Sequence, residues 1–205
     1  MNIIQDEDQY STDFTKSLRY IRSANLSTPQ ALSSGSGSST GQNLSILILG
    51  GLGGRVDQAF SQIHHLYLMN QSQAQNEGGG NLYLVSEESI TFILQPGGNT
   101  IHVPRTNRQH PHHSKEAAGA GERSKKEAED ETNYLLEENI GIIPLSGPAQ
   151  ISTSGFEWDV KDWQTEIGGQ ISTSNHIRAE TVQVSTRVPV LFTVELARRL
   201  KRVSR

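Results

Sequence analysis

The sequence contains no cysteine, which excludes disulfide bonds and cysteine-based metal sites. It has no excess of positive charge. Lys and Arg number 18 against 22 Asp and Glu, and the net charge of −4 gives no global basic field for nucleic acid or an anionic membrane surface. No apolar run approaches the roughly 20 residues that span a bilayer. The N-terminus, "MNIIQDEDQYSTDF", is acidic and lacks the apolar core of a secretory signal. These absences predict an intracellular, cytoplasmic protein with neither a nucleic-acid nor a membrane partner. Apolar residues are scarce at 34%, and Gly numbers 19, so the core is expected to be diluted by segments that do not pack.

What is present suffices for one large or two small domains. Residues 12–24, "TDFTKSLRYIRSA", predict a helix with Phe14, Leu18 and Ile21 on one face, capped by Thr12 or Ser11. Asp13 suits the positive end of its dipole. A Ser/Gly-rich stretch at 27–43 reads as a flexible loop. Residues 44–50, "LSILILG", predict a buried parallel strand. Residues 58–70 predict a second helix with Phe60, Ile63, Tyr67 and Leu68 at helical spacing, and "NLYLVS" a further strand. The first 86 residues therefore read as an α/β domain with a parallel sheet.

From residue 87 the pattern changes. "ESITFILQPGGNTIHVP" predicts two short strands around a "PGGN" turn. Residues 104–132 are charged and nearly free of large apolar groups, and predict a disordered insertion. Its "HPHH" tract, His110 to His113, is read as incidental to metal binding. After it, "NIGIIPL", "PAQISTSGFEWDV", "GGQISTSNHI" and "ETVQVSTRVPVLFTV" predict the strands of an antiparallel sandwich over 87–205. The basic end, "ELARRLKRVSR", reads as a solvated terminus.

The stretch "LSILILGGLGGRVDQAF" joins a strand to a helix through glycines. Such a turn sets backbone N–H groups at the carboxyl edge of a sheet, where ligands bind in open α/β folds. Arg55 would hold a phosphate oxygen, and Asp57 would accept a hydrogen bond or help hold a cation. The alternative is a tight connection in which Arg55 and Asp57 form a local ion pair. No Lys-Ser/Thr follows the last glycine, so this is not a Walker A loop, nor is it a clean "GxGxxG".

Several blocks, in order, carry a resemblance. "GGLGGRVDQ" resembles the "GGxGGRxDQ" signature of the thiamine pyrophosphokinase (thiamine diphosphokinase) family, and "DQYSTDFTKSL" its "DQxxTDFxK". "GIIPLSGPAQISTSGFEWDV" resembles "GLIPLGxPxxVTTxGLKWNL", and "GGQISTSN" resembles "GxxVSTSN". The resemblance implies an α/β catalytic domain followed by a β-sandwich that binds thiamine, working as a homodimer with shared active sites. It implies transfer of pyrophosphate from ATP to thiamine, with Mg²⁺. Carried over by motif, Asp13 is the catalytic and metal-holding carboxylate, and Asp57 is catalytic. Gln9, Ser172 and Asn175 contact thiamine, while Lys16, Gly53, Gly54, Arg55 and Gln58 serve the nucleotide. Trp158 matches the family's tryptophan and is expected in the sandwich core. His176 and Ile177 stand where the family often carries an aromatic residue.

The family's "GDxDS" motif, which precedes the "TDF" block, does not occur in these 205 residues, nor do the first strands of its α/β sheet. The expectation is an N-terminally truncated or degenerate relative with an exposed sheet edge and little activity on its own. The alternative function is a non-catalytic thiamine- or nucleotide-binding protein.

Overall fold

The computed structural model describes residues 3–27, 45–50, 52–73, 81–103, 106–107 and 134–201. The predicted flexible loop and the "HPHH" tract lie outside them, except that Ser27 belongs to a helix.

Helix α1 spans Asp13–Ser27. Thr12 caps it: its Oγ1 accepts from the Thr15 amide at 3.2 Å, and its carbonyl accepts from the Lys16 amide at 3.0 Å. Leu18 is buried and Phe14 partly so, but Ile21, expected on the same face, is 39% exposed. The inward row steps by four, from Phe14 through Leu18 to Arg22, which turns Ile21 away. Helix α2 spans Val56–Gln73. Its inward residues are Ile63, Leu66, Met69 and Asn70; the predicted Phe60 and Leu68 are exposed. The predicted stripe was displaced because His65 and Asn70 are buried polar residues that hydrophobicity patterns do not count. His65 lies against Phe14 at 5.0 Å and its Nε2 meets Thr15 Oγ1 at 3.2 Å, fastening α2 to α1. Burial, reinforced by neighbouring His64, pushes the His65 pKa down.

Eleven strands are described. They are β1 (Ile46–Leu49), β2 (Leu82–Val85), β3 (Ser89–Leu94), β4 (Gly97–His102), β5 (Thr106–Asn107), β6 (Leu136–Pro144), β7 (Ala149–Ser154), β8 (Trp163–Thr165), β9 (Ser172–His176), β10 (Thr181–Thr186) and β11 (Val190–Leu196). One sheet runs β1-β2-β3-β11-β6-β5, with β9 also on β6; the other runs β4-β10-β7-β8. β1 and β2 are parallel, as predicted for a βαβ unit. β2 then pairs antiparallel with β3, so one sheet continues from the α/β part into the sandwich.

The two cores share strands. In β3, β11 and β6, Ile93, Leu191 and Ile143 face the helices, whereas Leu94, Phe192 and Ile142 face the second sheet. Side-chain alternation along a strand thus serves a helical core on one face and a sandwich core on the other.

Four expectations change here. β3 and β4 flank the predicted turn but do not pair; the turn carries the chain from one sheet to the other. Asn99 holds that turn, accepting from the Gln95 amide and donating to the Gln95 and Val184 carbonyls. β1 is an edge strand rather than a buried one: Leu47 is 60% and Leu49 78% exposed. α1 and α2 pack on the face of Ile46 and Ile48, and no described residue covers the other. Thr106–Asn107, inside the predicted insertion, form a short strand parallel to β6. The basic end is not wholly solvated, because Lys201 pairs with Glu88 at 2.8 Å and with Glu195. No helix among the described residues is long and apolar enough to cross a membrane.

Candidate functional site

Three groups of sequence-predicted residues occupy three places. The first is the N-terminal segment folded against α1. Asp6, Glu7, Asp13, Lys16 and Arg19 line a cleft of about 960 Å³. Asp13 sits in the first turn of α1, and Lys16 Nζ donates to the Asp6 carbonyl at 3.1 Å. Gln9 is exposed at the bend before the helix. Asp8, which opens the matched block but was given no role, builds that bend: its Oδ1 accepts from the Tyr10 and Ser11 amides at 2.9 and 3.2 Å, and its Oδ2 accepts from Arg19. Hydrogen bonds from Ser11 and the Tyr10 amide lower its pKa to about 2. An aspartate two residues before a polar turn is the sequence signal for this Asx-type bend.

The second group lies at the carboxyl end of β1. Gly50 and Gly54 adopt positive φ of 82° and 70°, which L side chains disfavour. Gly53 is not in that region, and a Cβ added there would meet nothing within 4 Å. Neither backbone conformation nor packing within the described residues demands glycine at 53. Arg55 precedes α2 and Asp57 lies in its first turn. Their side chains form a two-pronged pair, Nε to Oδ1 at 3.1 Å and Nη2 to Oδ2 at 2.5 Å, with 76% and 60% of the side chains exposed. The Arg55 hydrogen bond holds the Asp57 carboxyl below its ordinary pKa. Gln58 is exposed on the next position of the helix.

The third group is β9. Ser172 pairs with Ile142 and Asn175 with Ile140, so Thr173 and Ser174 together oppose Gly141 in a bulge. Ser174 takes the left-handed conformation at φ 58°. A side chain at Gly141 would meet Thr193 Cγ2 at 3.1 Å, a tight contact, and the Ser172 carbonyl at 3.5 Å, so glycine suits the close strand approach. Asn175 is 5% exposed. Its Oδ1 accepts from the Trp158 and His176 amides at 3.2 and 2.8 Å, and its Nδ2 donates to the Trp158 carbonyl at 3.0 Å. Its amide is thus engaged by backbone, whereas Ser172 is half-buried. Trp158 is not in the core: it is 56% exposed and lies on the His176 ring at 5.2 Å. Phe156, two residues earlier, takes the buried position instead. Ile177 is fully buried and faces that core, not solvent.

No hydrogen bond or ion pair among the described residues joins Gln9, Asp13 or Lys16 to residues 172–176, or either set to Arg55 and Asp57. Nor do three His, Asp or Glu residues among them come together as a metal site.

Comparison with known proteins gives these places a common context. The family model described as "Thiamin pyrophosphokinase, catalytic domain" matches residues 1–76, and "Thiamin pyrophosphokinase, vitamin B1 binding domain" matches 125–191. Together they span well over half of the chain. "Thiamine pyrophosphokinase 1" of Arabidopsis thaliana is 26% identical over 195 residues, covering 95% of this chain and 56% of that protein. The Saccharomyces cerevisiae thiamine pyrophosphokinase is 24% identical over 226 residues, 96% of this chain and 62% of its own. The structure of the Candida albicans thiamin pyrophosphokinase superposes with a TM-score of 0.68 at 24% identity, covering 95% of this chain and 64% of that one, a likeness of fold. The chain spans little more than half the length of the plant relatives. With both domain models in order and the fold in agreement, this chain belongs to the thiamine pyrophosphokinase family.

Proposed function

We propose that this chain serves thiamine pyrophosphokinase chemistry, moving the pyrophosphoryl group of ATP onto the hydroxyl of thiamine. The hydroxyl oxygen bonds to the β-phosphorus, the bond between the α- and β-phosphates breaks, AMP leaves, and the hydroxyl proton passes to a carboxylate. Such a transfer asks the protein mainly for position and charge. The observation that carries this reading is the turn that contains Gly50 and residues 52–55. It follows a parallel strand, opens onto a helix N-terminus, and holds a glycine at 53 that neither its conformation nor its neighbours among the described residues require. A backbone bare of side chains beside a helix N-terminus suits phosphate.

In this reading Gly53, Gly54, Arg55 and Gln58 bind the nucleotide, with Lys16 reaching a phosphate from the α1 cleft. Arg55 exchanges Asp57 for a phosphate oxygen, which frees the Asp57 carboxylate for the reaction. Gln9 and Ser172 contact thiamine, and Asn175 acts on it by fixing the β9 bulge and Trp158. Mg²⁺ prefers one or two carboxylates with substrate phosphates and water. Asp13 fits that role, and the ion would neutralise the triphosphate. Separation of the three groups supports a homodimer in which the β9 face of one subunit serves the α1 cleft of the other. A division into 1–86 and 87–205 is supported by the two matched family models. A cytoplasmic setting accords with the cysteine-free sequence.

The second reading is a thiamine- or nucleotide-binding protein without transfer. Incubation of the chain with ATP, thiamine and Mg²⁺ decides between them. Formation of thiamine diphosphate and AMP in equal amounts supports transfer. Binding of thiamine without product supports the second reading, and neither binding nor product sinks both.

A further inference from the structure

The geometry points to a separate ligand site, a cavity of about 680 Å³ between the two sheets that receives an uncharged planar molecule presenting an N–H donor. It does not depend on the thiamine reading. The cavity arises because the sheets differ in width. One runs on from β3 to β2 and β1, whereas the other ends at its edge strand β4. The sandwich face of β2 and β3 thus continues past the strands that cover it. Tyr83, Ile90 and Phe92 on that flank are only half-buried, although large apolar side chains inside a sandwich ordinarily lie between its sheets.

The lining sets the chemistry of the occupant. Among the described residues no Asp, Glu, Lys or Arg lines the cavity, so nothing there offsets the desolvation of a charged ligand. A thiamine cation or a nucleotide phosphate is therefore the wrong occupant. The apolar wall is aromatic: Phe92 meets Tyr83 edge-on, with centroids 5.4 Å apart at 65°, and also packs on Phe192 at 5.3 Å. A planar ligand against Tyr83 or Phe92 extends this series in the geometry that aromatic pairs prefer. Gln95, also in the lining, supplies an acceptor. Its Nε2 donates to Asn70 Oδ1 at 2.8 Å and its main chain is held by Asn99, while its Oε1 accepts from no described residue. The bond to Asn70 orients the carboxamide in advance, so little freedom is lost when a donor arrives. A volume of this size suits a small-molecule ligand. Asn70 belongs to α2, whose first turn carries Asp57, so the occupant touches the carboxamide pair that ties this helix to the β3–β4 turn.

The test is equilibrium dialysis of the full chain against indole, an uncharged two-ring probe with one N–H donor, and against N-methylindole, which has none. Indole should bind with a Kd on the order of 0.1 mM, and N-methylindole about tenfold more weakly. Gln95→Leu should bring indole down to the affinity of N-methylindole while leaving N-methylindole unchanged. Ile90→Trp, which fills the cavity, should abolish binding of both. Absence of indole binding to the parent overturns the site. Equal affinity of the parent for the two probes overturns the donor-bearing ligand class, as does an indole affinity that Gln95→Leu leaves unchanged. Undiminished binding to a folded Ile90→Trp chain puts indole elsewhere and overturns the cavity. If either variant fails to fold, the comparison of the two probes on the parent still decides. Displacement of indole by thiamine would make the cavity part of the thiamine site and overturn its separateness.

Discussion

The carboxamide of Asn175 holds both main-chain groups of Trp158, accepting from its amide at 3.2 Å and donating to its carbonyl at 3.0 Å. One buried side chain on β9 thereby fixes a residue 17 positions earlier in sequence. Removal of the amide strands those groups and the His176 amide in a partly buried setting. Asn175→Ala should lower the free energy of unfolding by about 2–3 kcal/mol, measured by urea titration. Asn175→Asp, which keeps the acceptor but turns a carboxylate oxygen towards the Trp158 carbonyl, should also lose stability. A variant as stable as the parent would remove Asn175 as the fastener.

The Arg55–Asp57 pair is exposed on both sides. Pairs of this kind contribute little to stability because water screens them. Asp57→Ala should therefore leave the melting temperature unchanged while sharply lowering turnover, if the chain turns over. A fall in melting temperature with activity retained would make the pair structural.

Asp8 has a lower pKa in the fold, about 2, than its ordinary 3.8. A carboxyl lowered in the fold stabilises above its unfolded pKa, and that contribution fades as pH falls through the folded value. Parent and Asp8→Asn should differ most above pH ~4 and converge towards pH ~2 in acid unfolding. Glu157, lowered first by its His176 bond and then by Arg178, works in the same direction on the acid side of its ordinary value. Parallel curves for parent and Asp8→Asn would refute the linkage.

If one subunit's α1 cleft meets the partner's β9, two disabled variants should help each other. Gln9→Ala mixed with Ser172→Ala leaves one intact pairing in each mixed dimer. Recovery towards about a quarter of full activity per total site is expected for free exchange, taking half of the dimers as mixed with one of two sites intact. Absence of recovery in mixtures shown to exchange subunits would argue against a shared site.

Leu47 and Leu49 present an apolar face on an edge strand, the arrangement that invites association. The chain should self-associate on concentration, and Leu47→Lys with Leu49→Lys should reduce this in light scattering without lowering the melting temperature. Equal scattering would mean that the face is covered in solution.

Local pattern determined much of this protein. The Thr12 cap, the strand–glycine–helix order at 46–56, and the β-branched runs after residue 136 all became the predicted elements, because caps, turns and strand propensity act over a few residues. The ordered blocks of motif were legible for the same reason. Tertiary structure decided the rest. Sequence did not say that β3 and β4 would enter different sheets, since a turn sets chain reversal but not the partner of each strand. It placed Trp158 in the core, because hydrophobicity favours burial; only the long-range hold of Asn175 on its backbone, with Phe156 in the buried place, turns it outward. It marked Ile21, Phe60 and Leu68 as core because it counted apolar residues, whereas His65 and Asn70 took inward positions through contacts with other elements. Contacts between distant residues select which of several locally acceptable faces is buried, and that selection exists only once the elements have packed.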